Sequence, residues 1–132
     1  MIRRGGTPVH LDTSFLIRAL DPSSREWAAL RDWLKARRPL ALSTLAWGEF
    51  LCGPLGTQDL PVARRLVQRR VPLGPAEAEE AARLFNASGR RRGSFGDCII
   101  AATALLDGGV LATCDRGDFE RFGKEGLELA FR

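Results

Sequence analysis

The chain has 132 residues, 45% of them hydrophobic and 27% charged, which is typical of a globular protein with one sizeable core. No stretch approaches the roughly 20 consecutive apolar residues of a membrane span, and no apolar run follows the basic N-terminus. We therefore expect a cytoplasmic protein without a signal peptide, and its net charge of +4 excludes a strongly acidic chain.

Short apolar runs alternate with helical patterns along the whole chain. Strands are predicted at 8–12, 39–43, 71–73, 110–114 and 127–131, and helices at 13–20, 23–38, 44–55, 57–70, 75–91, 94–109 and 115–122. Such alternation predicts an α/β fold: one three-layer α/β/α domain over residues 1–132, with a mainly parallel central sheet. Residues 1–7 are expected to form a flexible tail.

The three cysteines lie in separate apolar segments, and no two of them have CxxC spacing. Because their number is odd, we expect buried free thiols rather than disulfides or a zinc site. They are Cys52, Cys98 and Cys114.

Four acidic positions lie beside apolar segments, where a carboxylate is costly unless something uses its charge. They are Asp12, Glu49, Asp97 and the pair Asp115 and Asp118. Asp12 and Asp115 follow predicted strands, and functional sites of parallel sheets lie at the carboxyl ends of the strands. The pattern predicts a site for Mg²⁺ or Mn²⁺, which take oxygen ligands and pair with phosphate oxygens.

Local structural roles compete with this interpretation. Asp12 and Asp115 could each cap the helix that follows, and Ser94 and Asp97 have the spacing of a capping box. Glu49 is harder to explain in this way, because no basic residue lies three or four positions from it on its helix. A buried glutamate without a partner should bind a metal, meet another acid or stay protonated.

Clustered carboxylates around a divalent ion are suited to the hydrolysis of a phosphodiester, in which the ion orients a water and no covalent nucleophile is required. If all five acids face one cleft, the remaining surface carries a charge of about +9. An acidic cleft within a basic surface suits a polyanion such as RNA. The alternative is that the arginine content is merely compositional.

Four segments together resemble the PIN domain, most closely the VapC-type toxin ribonucleases. They are VHLDTSFLI, STLAWGEFLCG, GSFGDCIIAATALLDGGVLATCDRGDF and LELAF. The resemblance places the family's acids on Asp12, Glu49 and Asp97. The family's fourth acid matches either Asp115 or Asp118. We favour Asp115, with Asp118 in a supporting role. The family's hydroxyl residues match Thr13, with Ser14 beyond it, and Thr113.

The resemblance implies an endoribonuclease that depends on Mg²⁺ or Mn²⁺ and acts on RNA, often tRNA or ribosomal RNA. It also implies a homodimer and a cognate antitoxin protein whose C-terminal segment enters the acidic groove. An RNA-processing nuclease of the same family and a non-catalytic RNA- or protein-binding module are the alternatives. A phosphoryl-transfer domain is disfavoured because position 14, where an Asp-x-Asp nucleophile needs its second acid, is Ser14.

Two further features have competing interpretations. Arg90, Arg91 and Arg92 lie just before the helix that carries Asp97, and they could contact an RNA backbone or form a solvated loop. His10, the only histidine, lies within the first predicted strand. We expect it to be a packed histidine rather than a catalytic base.

Overall fold

A computed structural model describes residues 6–131 and contains four strands and seven α-helices within that range. In chain order they are β1 (Val9–Leu11), α1 (Thr13–Ala19), α2 (Arg25–Lys35), β2 (Leu40–Ser43), α3 (Thr44–Cys52), α4 (Asp59–Leu66), β3 (Arg69–Val71), α5 (Pro75–Ala87), α6 (Phe95–Leu106), β4 (Val110–Ala112) and α7 (Arg116–Phe119). A 3₁₀ segment, Glu120–Glu125, follows α7.

The four strands form one sheet in the order β3-β2-β1-β4, and every neighbouring pair is parallel. Strands β1, β2 and β4 are buried along their whole length. The chain moves from β1 to β2 to β3 in one direction and then returns across the sheet to β4. Because such crossovers are right-handed, α1–α4 cover one face and α5 and α6 cover the other. The predicted α/β fold class is confirmed.

Both edges of the sheet differ from the prediction. Strand β3 is Arg69–Val71, two residues earlier than the predicted run 71–73, and its side chains are largely exposed. The predicted last strand at 127–131 is wrong, since Leu129 makes only a single parallel bridge to Leu111. An edge strand can be polar because it is paired on one side only, so hydrophobicity does not locate it.

Only one of the three acids near helix N-termini caps its helix with its side chain. Asp12 caps α1, because its Oδ1 accepts a hydrogen bond from the Thr13 amide. Ser94 makes no side-chain cap at α6 and instead donates to the Arg91 carbonyl, so a capping box with Asp97 is wrong. Asp115 precedes α7 but also makes no side-chain cap. Capping therefore does not explain Asp97 or Asp115.

The cysteines are free thiols, as expected, but they are not all buried. Cys98 is buried in α6, Cys114 is partly buried and Cys52 is exposed. The expected flexible tail, 1–7, lies mostly outside the described residues. Within them, the Thr7 carbonyl accepts two hydrogen bonds from the Arg38 guanidinium, at 3.0 and 3.1 Å. No helix between residues 6 and 131 is long and apolar enough to cross a membrane.

Gly109 sits where α6 passes into β4, and the space around it admits no side chain. A Cβ there would lie 2.9 Å from both the His10 Cδ2 and the Pro8 carbonyl oxygen. We expect Gly109→Ala to destabilise the fold by about 1–3 kcal/mol through this overpacking. Gly48→Ala is the matched control, because nothing lies within 4 Å of its added Cβ inside α3. It should stabilise by about 0.5–1 kcal/mol.

Urea denaturation of the two glycine variants provides the measurement. A Gly109→Ala protein that is as stable as Gly48→Ala would show that the turn relaxes without cost and would contradict the expectation.

Candidate active site

An open cleft of about 300 Å³ lies at the carboxyl ends of β1 and β4, the neighbouring strands at that side of the sheet. It is lined by Asp12, Thr13, Ser14, Ile17, Glu49, Asp97 and Asp115. The four acids come from four different parts of the chain: the end of β1, α3, α6 and the segment after β4. The fold thus brings together the acids that the sequence singled out.

Asp12 is the most rigidly held of these acids and is only 5% exposed. Its Oδ1 accepts from the Thr13 amide at 2.8 Å, and its Oδ2 accepts from the Ser14 and Thr113 hydroxyls at 3.0 and 2.8 Å. Burial raises the pKa of Asp12, although these three hydrogen bonds act in the opposite direction. Nearby Asp115 raises the pKa further.

Glu49 reaches the cleft from α3 and is exposed, so the expectation of a buried glutamate is wrong. The Thr13 hydroxyl lies 3.2 Å from the Glu49 Oε1 and 3.0 Å from the Ala46 carbonyl, and its single proton can serve one of them at a time. Because water can hydrate the exposed Glu49 carboxylate, this residue does not need a metal or another acid to satisfy a buried charge. The argument for Glu49 as a functional residue therefore rests on its position in the cleft.

The pKa of Asp97 is raised by burial and by the negative charges of three other acids. Burial and the neighbouring charge of Asp118, followed by that of Asp12, raise the pKa of Asp97 to about 6. Glu49 adds a smaller contribution in the same direction. Perturbed carboxyl groups of this kind are typical of functional sites, because the local repulsion is relieved only when a cation or a proton arrives.

The two candidates for the fourth acid occupy different places. Asp115 lines the cleft directly, whereas Asp118 lies one turn later, close enough to raise the pKa of Asp97. Asp118 also lies 4.0 Å from the Arg91 guanidinium, and both side chains are about half exposed. Asp115 is therefore the better placed for a ligand in the cleft, and Asp118 borders it.

Arg121 is a functional candidate that the sequence did not reveal. Its three guanidinium nitrogens are buried without an oxygen or nitrogen acceptor among the described residues, and the group lies near the Cys98 thiol. It also lies over the Phe122 ring, 4.5 Å from its centroid. Its positive charge lowers the pKa of Asp97 and so opposes the effect of the surrounding acids. The local sequence does not indicate that Arg121 is buried, since the 3₁₀ segment that contains it has no simple hydrophobic periodicity.

Other singled-out residues lie around or away from the cleft. Arg91 faces Asp118, whereas the Arg90 guanidinium donates to the Asn86 side chain and Arg92 is exposed. His10 is buried with its Nε2 2.7 Å from Asp107, so the packed-histidine interpretation is confirmed. Burial lowers the pKa of His10, which favours the neutral ring.

The donor set fits a hard divalent cation in its chemistry. Only carboxylates and hydroxyls line the polar side of the cleft, and Mg²⁺ prefers oxygen ligands and keeps several waters. Among the described residues, no three acid, histidine or cysteine side chains already stand close enough to form a complete ligand set. An ion held here would therefore rely partly on water ligands or draw the carboxylates inward.

Comparisons with known proteins agree with this architecture. The PIN domain family model matches residues 9–125. Structures of VapBC2 from Rickettsia felis and VapBC from Salmonella typhimurium, both bound to DNA, share the fold. The first has 16% identity and a TM-score of 0.74 over 95% of this chain and 98% of that chain. The second has 18% identity and a TM-score of 0.73 over 96% and 98%.

Another structure with this fold is VapC20 from Mycobacterium tuberculosis, described as a toxin that cleaves the sarcin-ricin loop. It has 19% identity and a TM-score of 0.62 over 90% of this chain and 95% of that chain. No curated protein matches the sequence significantly. The family match spans nearly the whole described range and includes all the acids of the cleft, and the chain therefore belongs to the PIN domain family.

Proposed function

We propose that this protein is an endoribonuclease that uses Mg²⁺ or Mn²⁺ to hydrolyse RNA phosphodiester bonds and acts as the toxin of a toxin–antitoxin pair. One observation carries the proposal: four carboxylates from four parts of the chain converge on one open cleft. Membership of the PIN family supports it, as does the fold shared with toxin–antitoxin structures and with a ribonuclease toxin.

In this proposal the acids hold the metal and the hydroxyls support them. The ligands are Asp12, Glu49, Asp97 and Asp115, with Asp118 beside them. A bound ion would supply an oriented water and stabilise the negative charge that develops on the phosphodiester. Three hydrogen bonds from Thr13, Ser14 and Thr113 keep the Asp12 carboxylate in one orientation, so little rearrangement is needed when a cation binds.

A protein partner is supported by the surface next to the acidic cleft. An apolar cleft of about 150 Å³ adjoins it through Ile17 and is bordered by Phe50 and Leu55. Ile17 is 50% exposed and lines both clefts, so it offers an apolar contact at the edge of the acidic cleft. A cognate antitoxin segment with an apolar anchor and a basic side chain would fit both clefts at once. The proposal also includes a cytoplasmic homodimer acting on tRNA or ribosomal RNA.

The proposed activity is tested by incubating purified protein with total cellular RNA and with a tRNA pool in Mg²⁺, in Mn²⁺ or in EDTA. We expect cleavage in the presence of either ion and none in EDTA, with Asp97→Asn as the folded inactive control. Metal binding without cleavage of any RNA would indicate a very narrow target or a co-purified inhibitor. Neither metal binding nor cleavage would favour the non-catalytic binding module and would contradict the proposal.

A further inference from the structure

A second cleft, of about 260 Å³, lies on the other side of the segment that links β4 to α7. Three arginines from three elements point into it: Arg18 of α1, Arg25 of α2 and Arg116 of α7. Its acidic lining residue is Glu26, so the formal charge of its lining is about +2. This basic cleft is a separate feature from the acidic cleft, and the sequence patterns did not predict it.

One wall of the basic cleft is formed by Thr113 and Cys114, the two residues that precede Asp115 of the acidic cleft. The Thr113 hydroxyl donates to Asp12, and the Cys114 amide donates to the Ser14 hydroxyl, so the wall is tied to the acidic cleft by hydrogen bonds. Arg18 follows Ser14 by four residues, about one helical turn or about 6 Å along the axis of α1. A polynucleotide that lies across the acidic cleft can therefore also reach the basic cleft.

Two of the residues that line the cleft have contacts of their own. The Cys114 thiol lies 3.7 Å from the Glu26 Oε2 and is oriented as a weak donor. Arg116 is partly engaged in structure, because it donates to the Phe131 carbonyl and approaches Glu120 at 3.7 Å.

Arg18 is the arginine best suited to bind a ligand. It is exposed, and within residues 6–131 its guanidinium makes no hydrogen bond or salt bridge. A guanidinium offers several N–H donors in a planar fork that matches two phosphate oxygens. With Arg116 on the adjoining wall, it presents donors from two directions to an anion in the cleft.

We propose that the basic cleft binds a backbone phosphate of the RNA next to the phosphodiester held in the acidic cleft. This inference rests on the proposed ribonuclease function and deepens it, because it assigns Arg18 and Arg116 as substrate-binding residues. The arrangement also addresses an electrostatic problem. An RNA strand is repelled by the acids until a cation is bound, and a positive cleft one turn away offsets this repulsion.

The test measures the binding of a tRNA pool to the Asp97→Asn protein, which cannot cut it, as a function of salt concentration in Mg²⁺. Adding Arg18→Gln should weaken binding about three- to tenfold and reduce the slope of log Kd against log salt by about 0.7–1. Arg18→Lys in place of Arg18→Gln should restore only part of the affinity, since the charge remains but the planar fork of donors is lost. Arg31→Gln is the matched control: it removes the same charge from exposed α2 outside the cleft, and binding should change less than twofold.

Equal effects of Arg18→Gln and Arg31→Gln would overturn the inference, because only general charge would then matter. Unchanged RNA binding in Arg18→Gln would also overturn it and would leave the cleft to an acidic segment of a protein partner. Cleavage of the same tRNA pool by the wild type, measured in parallel, tests the ribonuclease function separately. If binding depends on Arg18 but the protein neither binds Mg²⁺ or Mn²⁺ nor cuts RNA, the phosphate site stands and the ribonuclease proposal fails.

Discussion

Asparagine in place of Asp97 should abolish RNA cleavage and, at pH 8 without divalent ions, make the protein more stable than the wild type. Cleavage should fall by at least about 100-fold, because the amide is a poor replacement for a carboxylate ligand. The gain in stability follows from the pKa of about 6, which burial and the charges of Asp118 and Asp12 impose on Asp97. An amide has no charge to bury or to repel.

The sign of the pH dependence follows from the direction of this shift. Because the folded-state pKa of Asp97 lies above the ordinary value of an aspartate, about 3.9, the native state binds the proton more tightly than the unfolded state does. The wild type therefore loses stability as the pH rises from about 4 to about 7. Because Asp97 is partly exposed and solvent screens its charge, we expect this loss to be about 1–2 kcal/mol. Asp97→Asn avoids this loss, and its melting temperature in EDTA at pH 8 should be roughly 3–10 °C higher.

Mg²⁺ should change this order. Binding to the native wild type adds stability in proportion to the logarithm of the free ion concentration, and Asp97→Asn should gain much less. Asp32→Asn is the matched control, because Asp32 is exposed on α2 and its replacement should leave both stability and cleavage nearly unchanged. An Asp97→Asn protein that melts below the wild type in EDTA at pH 8 would show that Asp97 is stabilised by its surroundings, contrary to this account.

The positions of Asp12 and Asp115 could be predicted because the carboxyl end of a parallel strand has one location in such a fold. Each residue directly follows a short apolar run, and the sheet brings the two runs side by side. Glu49 and Asp97 lie on helices and were singled out as acids beside apolar segments, but helical periodicity gives a face and not a partner, so the pattern alone did not place them with Asp12 and Asp115. The exposure of Glu49 could not be predicted from the sequence, since its apolar neighbours in α3 suggest burial.

The basic cleft and Arg121 escaped prediction for a different reason. Arg18, Arg25 and Arg116 are separated along the chain and meet only because α1, α2 and α7 converge beside β4. A chain with 20 basic residues offers many such combinations, and local pattern does not rank them. The start of β3 at Arg69, two residues before the predicted strand, also could not be read from local pattern. The backbone of β3 pairs with β2, while its side chains face solvent or a distant partner.

That distant partner is Asp107, and its replacement is expected to have the second large effect, a loss of folding stability. Asp107 caps the C-terminal end of α6, opposite to the end that carries Asp97. Its carboxylate lies 2.7 Å from the buried His10 Nε2 and accepts two hydrogen bonds from Arg69, at 2.6 and 2.7 Å. Burial alone would raise the pKa of Asp107, but the hydrogen bonds from Arg69 and His10 outweigh it and lower the pKa to about 2. This cluster joins α6 to β1 and β3.

Asp107→Ala should destabilise the protein by about 2–4 kcal/mol, because it leaves the buried His10 without this acceptor as well as breaking the contacts to Arg69. Arg69→Gln removes only the half-exposed side of the cluster and should cost about 1 kcal/mol or less. Asp107→Asn should fall between them, since the amide oxygen can still accept from His10. Urea denaturation at pH 7 measures all three variants.

The acid side of the stability profile separates this cluster from the active site. Since the folded-state pKa of Asp107 is depressed, its contribution is present above about pH 4 and is lost as the pH falls towards 2. The Asp107→Ala protein should lack that loss, whereas Asp97→Asn should retain it. Asp107 lies ten residues from Asp97, about 15 Å along α6, so cleavage by folded Asp107→Ala should stay within about twofold of the wild type. A large loss of cleavage by fully folded Asp107→Ala would mean that the cluster positions the active-site end of α6. Equal stability of Asp107→Ala and Arg69→Gln would show that the contact with His10 contributes nothing to the stability of the cluster.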